Sequence, residues 1–283
     1  MTTTNAGVSP AVPLERQLAS VLAADERPTR PNGLSASFTL AWRAAVKLKH
    51  TAVEQLIDLL MMPVIFLLIF NYLFGGAFAG SVDNYLQYFV PGVLVMTAVM
   101  LTTHTGTAIA RDISKGIFER FRTMPFWQPA SLIGTMITDL GRYLLALVLT
   151  TGLGLLLGFR PDAGIGGVLL AFALILVFAF AFAWVFTALG LTVRSPESVQ
   201  SASMLLMALV FCSNIFVSSA TMPGWIGAVV DVNPISHVST AARGLLHGTV
   251  TAGQIGLVAL STAILVGIFA PLTMFLYHKK KNV

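Results

Sequence analysis

The chain has 283 residues, of which 56% are hydrophobic and only 10% carry a charge. Because soluble domains contain roughly 25% charged residues, this composition excludes a soluble globular fold. The single cysteine, Cys212, excludes an internal disulfide and a metal cluster built from cysteines, and we expect it to be a small buried apolar residue. The net charge of +5 does not indicate nucleic-acid binding, because the basic residues flank apolar segments long enough to span a membrane.

The N-terminal part of the chain is predicted to stay outside the hydrocarbon. Residues 1–33 are polar and rich in Pro, Thr and Arg, so we expect a disordered cytoplasmic tail, and no signal peptide is visible. Residues 34–54 are predicted to form an interfacial amphipathic helix; the alternative is a basic anchor that continues into the first span. One face would carry Phe38, Trp42, Ala45, Val46 and Val53, and the other Arg43, Lys47, His50 and Glu54.

Six apolar segments are long enough to cross a bilayer as helices. They are too long and too evenly apolar to be barrel strands, which alternate apolar and polar residues. In this arrangement 14 of the 17 Lys and Arg residues fall on one side, so both termini are predicted to be cytoplasmic. The fold class is therefore an all-α integral membrane protein with six transmembrane helices. The predicted spans lie near 56–74, 88–110, 131–158, 164–193, 199–219 and 251–277.

A charged segment, 112–126, interrupts the apolar sequence between the second and third spans. Its apolar residues recur at steps of four, four and three, and charged residues occupy the rest of the helical circumference. Pro125 and Pro129 would end this short cytoplasmic helix before the third span. The segment is either a loop rich in basic residues or a docking surface for a soluble partner. Its apolar face is Ile113, Ile117, Phe121 and Met124.

The segment before the last span is apolar but cannot cross the membrane. Pro223-Gly224 and Pro234 break it into short pieces. Short apolar pieces between such breakers favour a re-entrant hairpin, which we predict over 218–248 on the extracellular side. Trp225 would lie at the membrane interface.

The chain contains none of the motifs that would identify an enzyme or an internal energy source. A phosphate-binding loop, a dinucleotide fingerprint and the H-E-x-x-H zinc motif are all absent from the sequence. Asp139 and Arg142, at positions i and i+3 of the third span, share a helical face and can neutralise each other. We predict a structural salt bridge; the alternative is a contact on a substrate path or in a gate.

Two further patterns within the spans have both a structural and a functional interpretation. His104 in the second span is expected to bond a neighbouring helix, with a polar pore residue as the alternative. Phe178, Phe182 and Phe186 recur at i+4 steps in the fourth span, and we expect them to face lipid or the core. The alternative is an aromatic surface that stacks against flat ligands.

Two blocks carry a resemblance to a known family. The block RDISKGIFERFRTMPFWQPASLIG (111–134) has that family's acid, glycine and proline spacing before the third span. The block MPGWIGAVVDVNPISHVSTAARG (222–244) matches its Pro-Gly-Trp, Asn-Pro and Arg pattern before the last span. With the amphipathic helix before the first span, residues 34–278 resemble the type-2 (ABC-2 type) permeases of ABC transporters, particularly their daunorubicin- and doxorubicin-resistance DrrB-like branch. The matched residues of the second block are Pro223, Gly224, Trp225, Asn233, Pro234 and Arg243.

The resemblance implies a multi-pass permease domain over 50–281 in the cell membrane, in contact with lipids. It implies a pair of permease subunits, here a homodimer, with two copies of a separate P-loop ATPase that binds ATP and Mg²⁺. The chain itself would then be no enzyme, bind no cofactor and no nucleic acid, and export a hydrophobic small molecule such as an anthracycline. Residues 112–126 would be the coupling helix, with 194–200 as a smaller contact. The implied coupling positions are Asp112, Gly116, Glu119, Arg120, Phe121 and Pro125.

Two other functions remain open from the sequence. The same machinery could carry a lipid, glycolipid or polysaccharide, because the helix faces that line a path cannot be assigned from one chain. An ion- or proton-coupled secondary transporter would use Asp139 and Arg142 as a relay. No internal repeat and no matched pair of broken spans is visible, and these are the usual signs of such a carrier.

Overall fold

The computed structural model describes residues 52–115, 130–193 and 195–281, and all regular secondary structure in these ranges is helical. A π-helical turn at Phe70–Phe74 joins α1 to α2, and a 3₁₀ turn at Ser219–Thr221 precedes α7. The predicted tail lies outside the described residues, as does the interfacial segment before residue 52. The helices are α1 (Ala52–Ile69), α2 (Gly75–Ala79), α3 (Val82–Ser114), α4 (Ala130–Leu157), α5 (Gly164–Thr192), α6 (Pro196–Phe211), α7 (Gly224–Val232), α8 (Pro234–His247) and α9 (Ala252–Lys281).

Five stretches of the described chain are long and apolar enough to cross a membrane, which confirms an all-helical membrane architecture. They correspond to the first four predicted spans and the last one. The predicted fifth span corresponds to α6, which has 16 residues. At 1.5 Å per residue α6 is only about 24 Å long, so a sixth crossing stays a prediction. The five stretches are Leu59–Phe78, Val82–Ser114, Gly134–Leu157, Gly164–Thr192 and Ala252–Tyr277.

The helix in the predicted fifth span is shorter than that span, because α6 ends at Phe211. Beyond it, the Ser213 hydroxyl donates to a backbone carbonyl of the last turn and so competes with continuation of the helix. The side-chain amide of Asn233 donates to the carbonyls of Leu209 and Cys212, which occupies two more helix-end acceptors. The expectation that Cys212 is buried is also wrong, since its side chain is exposed. Polar side chains therefore end the helix where hydropathy alone would continue it.

α3 is the central helix of the described bundle, and it packs against α1, α4, α5, α6 and α8. In its most apolar 18-residue stretch 78% is buried, whereas in the corresponding stretch of α9 only 6% is buried. α9 packs mainly against α5 and α8, so most of its surface is free to face lipid. α1, α4 and α6 run toward the end of the bundle that carries α7 and α8, which we call the hairpin end; α3, α5 and α9 run away from it.

The two most buried helices, α3 and α5, touch through glycines. A Cβ atom on Gly106 would lie 2.5 Å from the carbonyl oxygen of Phe186, and one on Gly190 would lie 2.5 Å from the carbonyl oxygen of Gly106. Because neither residue has a side chain, the two backbones come into direct contact. This contact sets the distance between α3 and α5.

Gly106→Ala is expected to destabilise the folded chain, because the added methyl group would meet a backbone carbonyl that moves only if α5 moves. Overpacking of this kind costs about 1–3 kcal/mol. Gly152→Ala is the matched control, since nothing lies within 4 Å of its Cβ position. It is expected to be neutral or to stabilise by about 0.5–1 kcal/mol. The measurement is the unfolding midpoint in mixed micelles of increasing SDS content; equal midpoints for the two variants would contradict the tight crossing.

Candidate functional site

Polar side chains gather at three places in this apolar bundle: the end of α3 away from the hairpin, the interior face of α4, and the hairpin end. The first contains the start of the predicted coupling helix. α3 runs without a break to Ser114, so Asp112 lies in the last turn of α3 and not in a separate helix. The other predicted coupling positions, Gly116, Glu119, Arg120, Phe121 and Pro125, lie outside the described residues.

The beginning of α6 carries a second charged group at this same end. Pro196 occupies the first helical position, and the exposed Glu197 lies in the first turn. Hydrogen bonds from its own backbone amide and from the Ser195 hydroxyl lower the pKa of the Glu197 carboxyl, and Arg111 of α3 lowers it further. The predicted minor contact at 194–200 therefore presents a stable negative charge next to the basic end of α3.

Within the bundle, Asp139 of α4 is buried and hydrogen-bonded. Its Oδ2 accepts the Thr105 hydroxyl at 2.6 Å, and its Oδ1 lies 3.5 Å from Nη1 of Arg142. The Thr105 oxygen also lies 2.9 Å from the hydroxyl of Tyr143. Thr105 has one hydroxyl proton and directs it at the carboxylate, so Tyr143 must be the donor to Thr105. A chain of hydrogen bonds thus runs from Tyr143 through Thr105 to Asp139 and links α4 to α3.

The structure brings the predicted pair Asp139 and Arg142 together, inside a larger network. Neither Thr105 nor Tyr143 is among the residues predicted from the sequence, although the i, i+4 spacing of Asp139 and Tyr143 was an available signal. The Asp139 side chain is 6% exposed and that of Arg142 is 33% exposed, so the counter-ion reaches toward the surface. His104, adjacent to Thr105, is exposed. With both carboxylate oxygens in contact with fixed partners, the arrangement suits a structural link between two helices.

Asp139→Ala is expected to lower the SDS unfolding midpoint more than the double change Asp139→Ala/Arg142→Ala. The single change leaves a guanidinium without its counter-ion among apolar helices, and the double change removes both charges. A double variant no more stable than the single one would show that the pair does not act as a salt bridge.

Thr105→Val is expected to lower the free energy of unfolding by about 1.5–3 kcal/mol, the range for a hydrogen bond to a charged group. The SDS unfolding midpoint checks this prediction as well.

At the hairpin end, the irregular segment 212–218 depends on side chains of α3 for its backbone hydrogen bonds. The hydroxyl of Tyr85 donates to the carbonyl of Phe216 at 3.0 Å, and that of Tyr88 donates to the carbonyl of Asn214 at 2.7 Å. An unpaired carbonyl in an apolar environment costs several kcal/mol, so non-helical backbone at membrane depth requires such partners. The two tyrosines, one turn apart, supply them.

The predicted hairpin residues Asn233 and Pro234 form the junction between α7 and α8. The Asn233 amide nitrogen donates to the carbonyls of Leu209 and Cys212 at 2.7 and 2.8 Å. Its amide oxygen accepts the backbone N–H of Ile235 at 2.9 Å and so caps α8. Pro234 occupies the first position of α8, where a backbone N–H is not needed. The side chain of Asn233 therefore binds the end of α6 and caps the start of α8.

Arg243 of α8 joins the hairpin to α3. Its guanidinium carbon lies 3.7 Å from the centre of the Tyr88 ring, and its Nε donates to the Tyr88 carbonyl at 3.0 Å. Its Nη2 donates to the Asn214 carbonyl and to the Ser239 hydroxyl, each at 3.3 Å. Within the described residues its partners are thus carbonyls, a hydroxyl and an aromatic face, and not a carboxylate. A planar guanidinium can stack and donate at the same time, which this position requires.

The remaining predicted hairpin residues lie at the start of α7. Pro223 precedes the helix, Gly224 is its first residue, and Trp225 is 74% exposed. The predicted breakers thus stand at helix starts, Pro223-Gly224 at the start of α7 and Pro234 at the start of α8, and divide the segment into short pieces. Their depth in a membrane stays a prediction.

Arg243→Lys is expected to destabilise the chain by about 1–3 kcal/mol, because a lysine ammonium cannot stack on Tyr88 and still donate to both carbonyls. Arg160→Lys is the matched control, since Arg160 is exposed at the same end of the bundle. The SDS unfolding midpoints of the two variants check this prediction. If Arg243→Lys behaves like the control, the charge alone holds the hairpin and the stacking does not matter.

The surface of the described part of the bundle includes two apolar grooves. One, of about 370 Å³, lies between α5, α6 and α9, and the other, of about 530 Å³, lies between α4 and α5. All three phenylalanines of the row on the fourth span, Phe178, Phe182 and Phe186, are buried in the core, as expected, and the last two also line the first groove. The rings of Phe182 and Phe186 lie 6.3 Å apart at 48° to each other, so they form a tilted aromatic wall. Such a groove suits an apolar chain or ring.

Comparison with known proteins gives a consistent result over most of the chain. A family model described as ABC-2 type transporter matches residues 36–247. "Daunorubicin resistance ABC transporter permease protein DrrB1" of Streptomyces coeruleorubidus is 52% identical over 281 residues, 99% of each chain. Two Mycobacterium tuberculosis proteins are more distant. "Probable doxorubicin resistance ABC transporter permease protein DrrC" is 25% identical over 77% of this chain and 80% of its own. "Doxorubicin resistance ABC transporter permease protein DrrB" is 28% identical over 68% of this chain and 70% of its own.

Proposed function

Because the chain belongs to the ABC-2 type transporter family, we propose that it is the permease subunit of an ATP-driven exporter of hydrophobic drugs or antibiotics of the anthracycline class. The observation that carries the proposal is the 52% identity, over 99% of each chain, with a daunorubicin resistance permease. The apolar grooves, one walled by Phe182 and Phe186, support a flat apolar cargo. The cell membrane is the corresponding location.

The energy source is a separate P-loop ATPase that binds ATP and Mg²⁺. The support is that the relatives are named permease proteins of ABC transporters, and that the sequence contains no phosphate-binding loop of its own. The chain is then a transport subunit without its own active site. Two permease subunits, here identical, and two ATPase copies complete the assembly that the family resemblance implies.

In the proposed topology both termini are cytoplasmic and α6 is the fifth of six crossings. α6 is short, but the irregular segment 212–218 extends from its end, and the two together are long enough to reach across the hydrocarbon. α7 and α8 then form a re-entrant hairpin on the extracellular side. The hydrogen bonds to the carbonyls of 212–218 support this placement, since irregular backbone at membrane depth must be satisfied by protein.

Residues 112–126 pass the motion of the ATPase to the membrane helices. α3 runs unbroken from the hairpin end to Ser114, so a force on its last turn acts on one continuous helix. That helix carries Thr105, which contacts α4, and Tyr88, which contacts the hairpin. Glu119, Arg120 and Phe121 are the proposed contacts with the ATPase, with opposite charges setting orientation and association rate.

Two arms of one experiment separate this proposal from its alternatives. Inverted membrane vesicles that contain this chain, a candidate ATPase, or both are assayed for ATP-dependent uptake of doxorubicin. We expect uptake only with both proteins and ATP. Glu119→Ala is expected to remove most of this uptake at equal protein level, and Glu15→Ala, in the tail, is the matched control and is expected to leave it unchanged.

Each contrary outcome points to a different conclusion. Uptake by the chain alone, driven by an ion gradient, would overturn the ATP-driven proposal in favour of a secondary transporter. A stable complex that hydrolyses ATP but moves no drug would keep the permease and favour a lipid, glycolipid or polysaccharide cargo. Normal uptake by Glu119→Ala would remove Glu119 from the coupling contact.

A further inference from the structure

At the hairpin end, the last turn of α8 places a histidine between two hydrogen-bond acceptors. Nδ1 of His247 lies 2.7 Å from Oδ2 of Asp162, in the loop between α4 and α5. Its Nε2 lies 3.1 Å from the backbone carbonyl oxygen of Gln87, in α3. The ring also meets Phe159 edge-on at 6.0 Å between ring centres. One imidazole thus connects three elements that are far apart in the sequence.

These two contacts define the protonation state of His247. A peptide carbonyl oxygen can only accept, and an ionised carboxylate can only accept. The side chain of Asp162 is 72% exposed. A neutral imidazole has one donor and one acceptor, whereas an imidazolium has two donors. With an acceptor at each ring nitrogen, both contacts are hydrogen bonds at the same time only in the imidazolium form.

Other hydrogen bonds of the loop 158–163 are arranged around the same residues. The Gln87 side chain donates to the carbonyl of Gly158 at 3.1 Å and accepts the backbone N–H of Arg160 at 3.0 Å. The backbone N–H of Ala163 donates to the carbonyl of Leu246, next to His247, at 3.0 Å. The loop is thereby fastened to α3 at one side and to the end of α8 at the other.

We propose that His247, Asp162 and Gln87 form a proton-operated latch that fastens the end of α8 to α3 and to the loop 158–163. The latch is closed while the imidazole carries both protons. When one proton leaves, the charged carboxylate of Asp162 retains the N–H at Nδ1. The lone pair at Nε2 then faces the lone pairs of the Gln87 carbonyl, and that contact is lost.

The direction of the pH dependence follows from the protonation state of His247 that the contacts require. Only the doubly protonated ring can make both contacts at once, so the latch is complete at low pH and loosens when the rising pH removes one ring proton. At this end of the bundle, within the described residues, the other charged groups on the neighbouring elements are Arg160 on the loop, Asp83 on α3, Arg243 on α8 and Asp231 on α7. α5 carries no charged residue, and α9 begins with none. Asp162 is the acid in direct contact.

The latch lies on the same helix, α8, as the arginine that binds the irregular segment of the hairpin end. Arg243, which binds the irregular segment 212–218, lies one turn before His247 on α8. Loosening the end of α8 therefore frees the helix that holds the hairpin to α3. The proposal goes beyond drug export and depends on neither the cargo nor the ATPase, so it can be tested on the full-length chain alone.

The test is amide hydrogen–deuterium exchange on the full chain in lipid nanodiscs, followed by mass spectrometry of the peptide that contains Arg160 and Ala163. Protection is compared at about pH 6 and about pH 8.5, on either side of the range in which histidines titrate. Rates are corrected for the intrinsic pH dependence of amide exchange. We expect protection to fall by about tenfold at the higher pH, the equivalent of one hydrogen bond to a charged group.

Variants separate the latch from other pH effects. His247→Gln is expected to show equal protection at both pH values, because glutamine does not titrate. His237→Gln, the other histidine of α8, is the matched control and is expected to keep the pH dependence of the parent chain. Asp162→Asn, at an exposed position, is expected to reduce the change even if His247→Gln folds poorly. Equal protection of the parent chain at both pH values, or an unchanged pH dependence in Asp162→Asn, would overturn the proposal.

Discussion

Buried backbone amides and carbonyls must find partners within the protein, and the arrangement of this chain follows from how it meets that requirement. The helices meet it internally, but the segment 212–218 does not. Tyr85 and Tyr88 from α3, Asn233 from the α7–α8 junction and Arg243 from α8 donate to the carbonyls in and beside this segment. The irregular backbone is thereby tied to three separate helices. The hairpin can leave the regular helical pattern because these side chains replace the missing backbone donors.

α3 takes part in contacts with several other elements along its length. At the hairpin end it supplies Tyr85, Gln87 and Tyr88, each bonded to a carbonyl or a ring from another element. Farther along, Thr105 binds the carboxylate of α4 and Gly106 touches the backbone of α5. Its last turn leads directly into the proposed coupling segment. A single unbroken helix therefore connects the place where an ATPase would act to the place where cargo would leave.

The basic side chains of Arg142, Arg243 and His247 are held by different chemistry, and they respond differently to conditions. Arg142 is partly exposed beside the buried Asp139, so its contact is an ion pair that solvent can reach. Arg243 is bound by carbonyls and the Tyr88 ring, and its guanidinium stays charged at any physiological pH. His247 keeps both of its contacts only while it is protonated. Only the last of these can act as a switch between open and closed states.

Hydropathy by itself determined the all-helical membrane class and placed the first four spans and the last one, because crossing hydrocarbon requires a long apolar run. The breakers at Pro223-Gly224 and Pro234 likewise predicted that the apolar segment divides into short pieces, because glycine and proline act locally. The end of α6 at Phe211 could not be read in this way, since it depends on Asn233, which is distant in the sequence. The sequence also did not predict the hydrogen-bond partners of Asp139 and His247. In helices that are apolar on every side, the sequence does not reveal which face meets which neighbour, and only the tertiary packing brings Thr105 to Asp139 and Asp162 to His247.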